Sequence, residues 1–150
     1  MSGHARTTLM LLLFAATSCR EDQGIAPATP AVIFAGITST DMDGRILSVD
    51  TSDWKPVPGV GVTMAPAYPN PCTSSFALDF SMDASDSIEV TLNPSSSTVW
   101  ETIADGQYGP GQFKVTGFVQ GFPSGIYRVY FSVTRNGVTH TSYGDIQVTD

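Results

Sequence analysis

Hydrophobic and polar residues alternate along the second half of the chain with a period of two. This is the pattern of β-strands that turn one face to a core and the other to water. It is clearest in 76–80, 88–92 and 126–134. The residues predicted to face the core are Phe76, Leu78, Phe80, Ile88, Val90, Leu92, Phe113, Val115, Tyr127, Val129, Phe131 and Val133.

Turn-forming residues separate these segments. Asn136-Gly137 is the strongest of them, since this dipeptide favours a type I′ turn between two antiparallel strands. Segment 105–111 contains Asp-Gly and Gly-Pro-Gly and is predicted to be a loop. Trp100 and Ile103 lie three residues apart in a predicted third strand, which indicates a β-bulge if both side chains face inward.

The last strand, 138–148, is predicted to kink at Gly144. About six short strands with frequent turns predict an antiparallel β-sandwich over 68–150. Its entrance, 68–72, reads Tyr-Pro-Asn-Pro-Cys and is stiff because each proline fixes φ and restricts the residue before it. The preceding stretch, 19–67, contains several proline and glycine residues and is predicted to be a flexible tether with no more than short strands.

The N-terminus has the features of an export signal. In residues 1–18, a short positive segment precedes the apolar stretch 9–16, which is too short to span a bilayer but has the length of a signal-peptide core. Ala16-Thr17-Ser18 and Cys19 resemble the lipobox of bacterial lipoproteins. The resemblance implies acylation of Cys19 and, with Arg20 rather than Asp after it, an outer-membrane location. An ordinary secretory leader is the alternative.

Charge and cysteine content limit the partners and the disulfides that the chain is expected to form. The formal net charge is −7, and only 14% of residues are charged. A negative chain of this kind is a poor electrostatic partner for nucleic acid or anionic headgroups. If Cys19 carries lipid, Cys72 has no partner for an intramolecular disulfide, and we expect it to be a small buried hydrophobe. A reactive thiol is the alternative.

Two features before residue 68 suggest ligands. Asp41, Asp43 and Asp50 partly match a calcium loop, although Ser39 occupies the first ligand position. The competing interpretation is a turn at 42–45 that leads into a short strand. Trp54 is expected to pack against the domain, with an exposed platform for a sugar ring as the alternative.

Candidate catalytic residues are few. His140 is the only histidine outside the leader and is expected at a solvated position of the last strand. Asp79, Asp83, Asp86 and Glu89 surround the first hairpin, where paired carboxylates suggest glycosidase chemistry, but the alternation turns Asp79 and Glu89 outward. We therefore expect no catalytic residues, no metal centre and no cofactor.

Four motifs carry a family resemblance. They are Tyr-Pro-Asn-Pro at 68–71, WETIADG at 100–106, Gly-x-Phe-x-Val at 111–115 and Pro-Ser-Gly-Ile-Tyr at 123–127. In this order and spacing they resemble the Ig-like C-terminal domain of flagellar hook-capping proteins and of type IX secretion sorting domains. The resemblance covers 68–150 and implies an Ig-like sandwich of about six to seven strands.

Some positions depart from this family. Cys72 replaces the usual Phe, Gly117 stands where Trp is usual, and the chain ends in the acidic 146–150 instead of a basic strand. The fold is therefore expected to carry over, but the sorting role is not.

The sequence thus predicts a leader (1–18), a lipid-anchored tether (19–67) and an Ig-like domain (68–150). The expected function is non-catalytic: a lipid-anchored surface or periplasmic protein whose module binds another protein or a glycan, or is structural. One alternative is a sorting or assembly accessory recognised by export machinery, and another is a calcium- or carbohydrate-binding module. The membrane, through the lipid anchor, is the expected partner.

Overall fold

The computed structural model describes residues 36–94 and 101–150, all within one compact unit, Ala31–Asp150. These residues form nine strands. They are β1 (Ser39–Thr40), β2 (Ile46–Ser48), β3 (Val62–Met64), β4 (Ser75–Met82), β5 (Asp86–Pro94), β6 (Glu101–Tyr108), β7 (Gly111–Phe118), β8 (Gly125–Arg135) and β9 (Val138–Val148).

Seven of these strands make two antiparallel sheets. One has the order β3-β4-β7 and the other β6-β5-β8-β9, while β1 and β2 form a separate hairpin. If β3 to β9 are lettered A, B, C, C′, E, F and G, the sheets are A-B-E and C′-C-F-G. Strand β6 extends the sheet of C, F and G, as strand C′ does in variable-type immunoglobulin domains. The predicted all-β antiparallel sandwich is confirmed.

The core lies between the two sheets, as the period-two pattern predicts. The burial pattern of β4 alternates strictly, and β8 alternates in the same way from Tyr127 to Val133. Three phenylalanines connect the layers: the ring centroid of Phe80 lies 4.9 Å from that of Phe131 and 5.3 Å from that of Phe113. These aromatic contacts add to the hydrophobic stabilisation that burial provides.

Several local predictions also hold. Asn136 and Gly137 both have positive φ, 54° and 76°, as a type I′ turn requires. The pairing of β5 with β6 skips Ile103, because Val90 faces Ala104 and Thr91 faces Thr102. Ile103 is therefore the extra residue of a bulge, whereas Trp100 lies outside the described residues.

The predicted loop at 105–111 is too long. Asp105 and Gly106 pair with Glu89 and Ile88 inside β6, so the connection is only Gly109 and Pro110. Pairing with a fully formed neighbouring strand overrides the turn preference of Asp-Gly. The pairing of β8 with β9 also passes Gly144 without a register shift, where a kink was expected.

The domain begins upstream of the predicted boundary at residue 68. Five residues assigned to the tether are buried in the core: Trp54, Val57, Val62, Met64 and Ala67. Strand β3 pairs with β4, with Val62 facing Met82 and Met64 facing Phe80. The flanking prolines are compatible with a short edge strand, so 36–67 is part of the packed domain. In the entrance, the Tyr68-Pro69 and Asn70-Pro71 bonds are both cis.

Candidate functional site

The four carboxylates near the first hairpin do not form one group. Asp79 points away from the core on the three-stranded sheet, and Glu89 is exposed on the outer face of the other sheet. The Nη2 atom of Arg135 lies 2.7 Å from Asp83 Oδ1 and 2.7 Å from Asp86 Oδ2. Hydrogen bonds to these two carboxylates raise the pKa of Arg135. Because Asp79 and Glu89 lie on the outer faces of different sheets, their carboxylates cannot flank one glycosidic bond.

His140 and Cys72 are separate groups. His140 lies on β9, and its ring is half-buried beside Gly59. The ring is therefore less solvated than expected. Cys72 is buried, and burial raises the pKa of its thiol to about 11. A thiol held in the neutral form is a poor nucleophile. The prediction that Cys72 is a small buried hydrophobe is confirmed.

The acidic segment 41–50 forms local turns. The Oδ1 atom of Asp41 accepts hydrogen bonds from the backbone N–H groups of Asp43 (3.0 Å) and Arg45 (2.9 Å). The Oδ1 atom of Asp50 accepts from the N–H (2.8 Å) and the hydroxyl (2.7 Å) of Ser52. Local backbone hydrogen bonds of this type stabilise turns. Within 36–94 and 101–150, no three His, Cys, Asp or Glu side chains are grouped so that they could hold a metal ion.

Trp54 is buried, so it is not an exposed platform for a sugar. Its indole packs against Gly144, and its backbone N–H donates to the carbonyl of Tyr143 at 2.9 Å. The expectation that Trp54 packs against the domain is confirmed. A carbohydrate ligand would have to use another surface.

Three polar side chains meet on the outer face of the three-stranded sheet. The hydroxyl of Tyr68 donates to Asp79 Oδ2 at 2.8 Å, and the Nζ atom of Lys114 lies 3.7 Å from Asp79 Oδ1. The same ammonium lies 5.1 Å from the centroid of the Tyr68 ring. Hydrogen bonding to Tyr68 and the charge of Asp79 raise the pKa of Lys114. We call these residues the Tyr68–Asp79–Lys114 cluster.

The cluster borders a shallow concavity of about 480 Å³ whose rim also includes Thr63, Ser81 and Gln112. The hydroxyls of Thr63 and Ser81 are hydrogen-bonded at 2.7 Å. This surface offers a carboxylate, an ammonium and several hydroxyl or amide groups, and Ala65, Phe80 and Phe113 supply apolar wall beside them. Small-molecule and cofactor sites are mostly apolar and enclosed, whereas this concavity is shallow and mixes polar with apolar groups, so it suits contact with a protein or a glycan.

The hairpin β1–β2 is a second unusual surface. Met42, Ile46, Leu47 and Val49 are all exposed there. Clusters of large exposed apolar side chains are uncommon on soluble domains and frequently mark interaction sites. These four residues are called the hairpin apolar patch below.

Comparison with protein-family models, curated proteins and solved structures found no match to this chain. The sandwich alone does not indicate what the protein binds. The predicted lipid-attachment residue, Cys19, lies outside the described residues. In the part of the chain that the structure describes, no helix is long and apolar enough to cross a membrane.

The sequence did not indicate either surface. Asp79 and Lys114 become neighbours only because β4 and β7 pair in a register that places them opposite each other. Tyr68 joins them through its bridge to Ala77. The outward alternation of Asp79 was a usable signal, but the register that selects its partner depends on the whole sheet.

Proposed function

We propose that this chain is a non-catalytic lipoprotein of the bacterial outer membrane, with an Ig-like module that binds a partner or has a structural role. The observation that carries the proposal is the apolar stretch 9–16 followed by Ala16-Thr17-Ser18 and Cys19. The lipobox resemblance places the cleavage before Cys19, just after this signal-peptide core. The module faces either the periplasm or the cell surface.

The Tyr68–Asp79–Lys114 cluster supports a binding role for the module. Asp79 and Lys114 line the concavity, and the hydroxyl of Tyr68 holds the Asp79 carboxylate in place from beside it. Preorganised polar groups lower the entropic cost of binding. A protein loop or a glycan that presents both donors and acceptors would match the carboxylate and the ammonium.

The anchor is tested by fractionation of cells that express the full chain. Wild type should partition with membranes and carry acyl chains by mass spectrometry, and globomycin should cause the unprocessed form to accumulate. Cys19→Ala should remove the acyl modification and accumulate as the unprocessed form, because the variant has no thiol to acylate. Cys72→Ala is the matched control because it removes the other cysteine. The proposal fails if wild type carries no acyl chains or if Cys19→Ala is acylated and processed like wild type.

The sorting alternative is less well supported. An export signal read through the last strand needs an accessible edge, but the edge of β9 is occupied between residues 143 and 147. The carbonyl of Tyr143 accepts from Trp54, and that of Gln147 accepts from the N–H of Cys72 at 2.9 Å. Deletion of 138–150 would also remove Ile146 and Val148 from the core, so lost export would not identify a signal.

The calcium- or carbohydrate-binding alternative would have to use residues other than Asp41, Asp50 and Trp54. Asp41 and Asp50 are engaged in turns, and Trp54 is buried. A glycan at the concavity lined by Asp79 and Lys114 is the form of this alternative that the geometry favours. It predicts that a glycan panel contains a ligand whose binding is lost in Lys114→Ala and retained in Lys55→Ala, an exposed lysine elsewhere.

A further inference from the structure

The hairpin apolar patch contains most of the large exposed apolar side chains in the described part of the chain. The described part of the chain has six such residues, and four of them lie within eight positions of one another. These four are Met42, 76% exposed, Ile46 at 48%, Leu47 at 65% and Val49 at 65%. The other two, Phe118 at 69% and Val138 at 56%, are on different strands. Single exposed apolar residues are ordinary, but a cluster of this kind indicates a surface that is covered in use.

The patch is held on a fixed hairpin. Thr40 and Asn70 exchange backbone hydrogen bonds of 2.8 and 3.3 Å, and the hydroxyl of Thr40 donates to the carbonyl of Ala67 at 2.7 Å. Asp41 closes the turn through its side chain. Ser39 pairs with Ser48 and Thr40 with Ile46, so Leu47 is the unpaired residue of a bulge. The exposed side chains are therefore presented outward by a structure anchored to the domain.

The position of the hairpin in the chain indicates which surface covers the hairpin apolar patch. It is the first described element after Cys19, and only residues 20–35 and the short segment 36–38 lie between them. Sixteen residues, 20–35, extend at most about 55 Å and average roughly 20–24 Å if flexible. An acyl anchor at Cys19 would hold the patch within tens of ångströms of the bilayer surface.

The charges near the patch limit the kind of surface it can meet. Asp41, Asp43 and Asp50 outnumber Arg45, so strongly anionic headgroups would repel this hairpin. A zwitterionic surface would not, and apolar side chains bind at the boundary between headgroups and acyl chains through the area they bury.

We propose that the hairpin apolar patch inserts into the headgroup–acyl boundary of a zwitterionic bilayer, as a second membrane contact beside the anchor. This inference rests on the proposed acylation of Cys19. The contact would fix the orientation of the sandwich on the membrane instead of leaving it free on its tether. Loss of the patch should change orientation without releasing the protein.

The test uses the full lipoprotein, purified from membranes and reconstituted in phosphatidylcholine–phosphatidylethanolamine vesicles. An environment-sensitive fluorophore is attached through Leu47→Cys, with Phe118→Cys and Val138→Cys as matched exposed positions. Cys72 is buried, and acylated Cys19 has no free thiol. The label at position 47 should be blue-shifted, and lipids brominated on their acyl chains should quench it about twofold or more relative to the control positions.

Each result has a distinct meaning. If the protein does not float with vesicles, the anchor is wrong and this inference falls with it. If it floats but the labels at 47, 118 and 138 are equally exposed to water, only the membrane contact of the patch is overturned. A blue shift at position 47 without quenching by brominated lipids would mean that a second copy of the chain covers the patch, which also overturns the proposal.

Discussion

The indole of Trp54 occupies the space that a side chain at Gly144 would need. A β-carbon built at position 144 would lie 2.1 Å from Trp54 Cδ2 and Cε2, well inside van der Waals contact. Trp54 itself has a φ of 54°, an uncommon conformation for a bulky residue. The contact connects a residue before the predicted domain boundary to the last strand of the sandwich.

This contact predicts that Gly144→Ala destabilises the domain by about 1–3 kcal/mol, since the indole must move to admit the methyl group. Chemical denaturation of the mature protein measures the change in the free energy of unfolding. Gly125→Ala on β8 is the matched control because its added β-carbon meets Tyr127 at an ordinary 3.7 Å. Equal effects at the two positions would contradict the packing role of Trp54.

Asn70 connects three segments of the chain. Its Nδ2 donates to the carbonyls of Thr38 (2.7 Å) and Asp145 (3.0 Å), and its Oδ1 accepts from the N–H of Gln147 (2.8 Å). Asn70→Ala should lower the free energy of unfolding by about 2–4 kcal/mol, because buried backbone groups lose their partners. The exposed Gln112→Ala should change it little. A loss below about 0.5 kcal/mol for Asn70→Ala would mean that water replaces the amide.

The sandwich was predictable where one strand face meets the core and the other meets water. Phe76 to Phe80 and Tyr127 to Val133 carry that alternation, and local turn chemistry identified Asn136-Gly137. The packed segment 54–67 was missed, because proline- and glycine-containing sequence is typical both of linkers and of irregular chain that packs on a sheet edge. Its burial depends on partners such as Gly144 that are distant in sequence.

The candidate surfaces were less predictable for a related reason. The Tyr68–Asp79–Lys114 cluster requires two strand registers and a bridge, and no local pattern specifies them. The hairpin apolar patch was visible only as a turn followed by aliphatic residues. Whether those residues are buried or exposed depends on which other segments pack over the hairpin, which is a tertiary property.

Cys72 should react slowly with thiol reagents in the folded protein. Its burial and a pKa of about 11 leave little thiolate at pH 8, and an unfolded thiol has a pKa near 8.5. In a mature chain with Cys19→Ala, labelling by Ellman's reagent should be on the order of 100-fold slower in buffer than in urea. A chain that also carries Cys72→Ala and Thr73→Cys should react quickly in both. Rapid native labelling of Cys72 would contradict its burial.

Asp53 makes stability depend on pH. Burial and the nearby charge of Asp145 raise the pKa of Asp53 to about 6, with a smaller contribution from Asp50. Thr38 N–H donates to its Oδ2 at 3.3 Å, while Oδ1 has no hydrogen-bond partner in the described part of the chain. The folded state therefore holds a proton on Asp53 at pH values where the unfolded chain, with a pKa near 3.9, has released it.

The direction of this pH dependence follows from the linkage between proton binding and folding. Between about pH 4 and 6 the folded state binds more protons at this residue, so its contribution to stability falls as pH rises and is lost above pH 6. This difference between the folded and unfolded pKa of Asp53 corresponds to at most about 3 kcal/mol. Asp53→Asn should remove this loss, so the variant should gain about 1–3 kcal/mol relative to wild type between pH 4 and pH 7. Urea unfolding at pH 4, 5, 6 and 7 measures the difference, with exposed Asp43→Asn as the control. If the gap between Asp53→Asn and wild type is the same at every pH, Asp53 is already ionised in the fold and its carboxylate is solvated or paired.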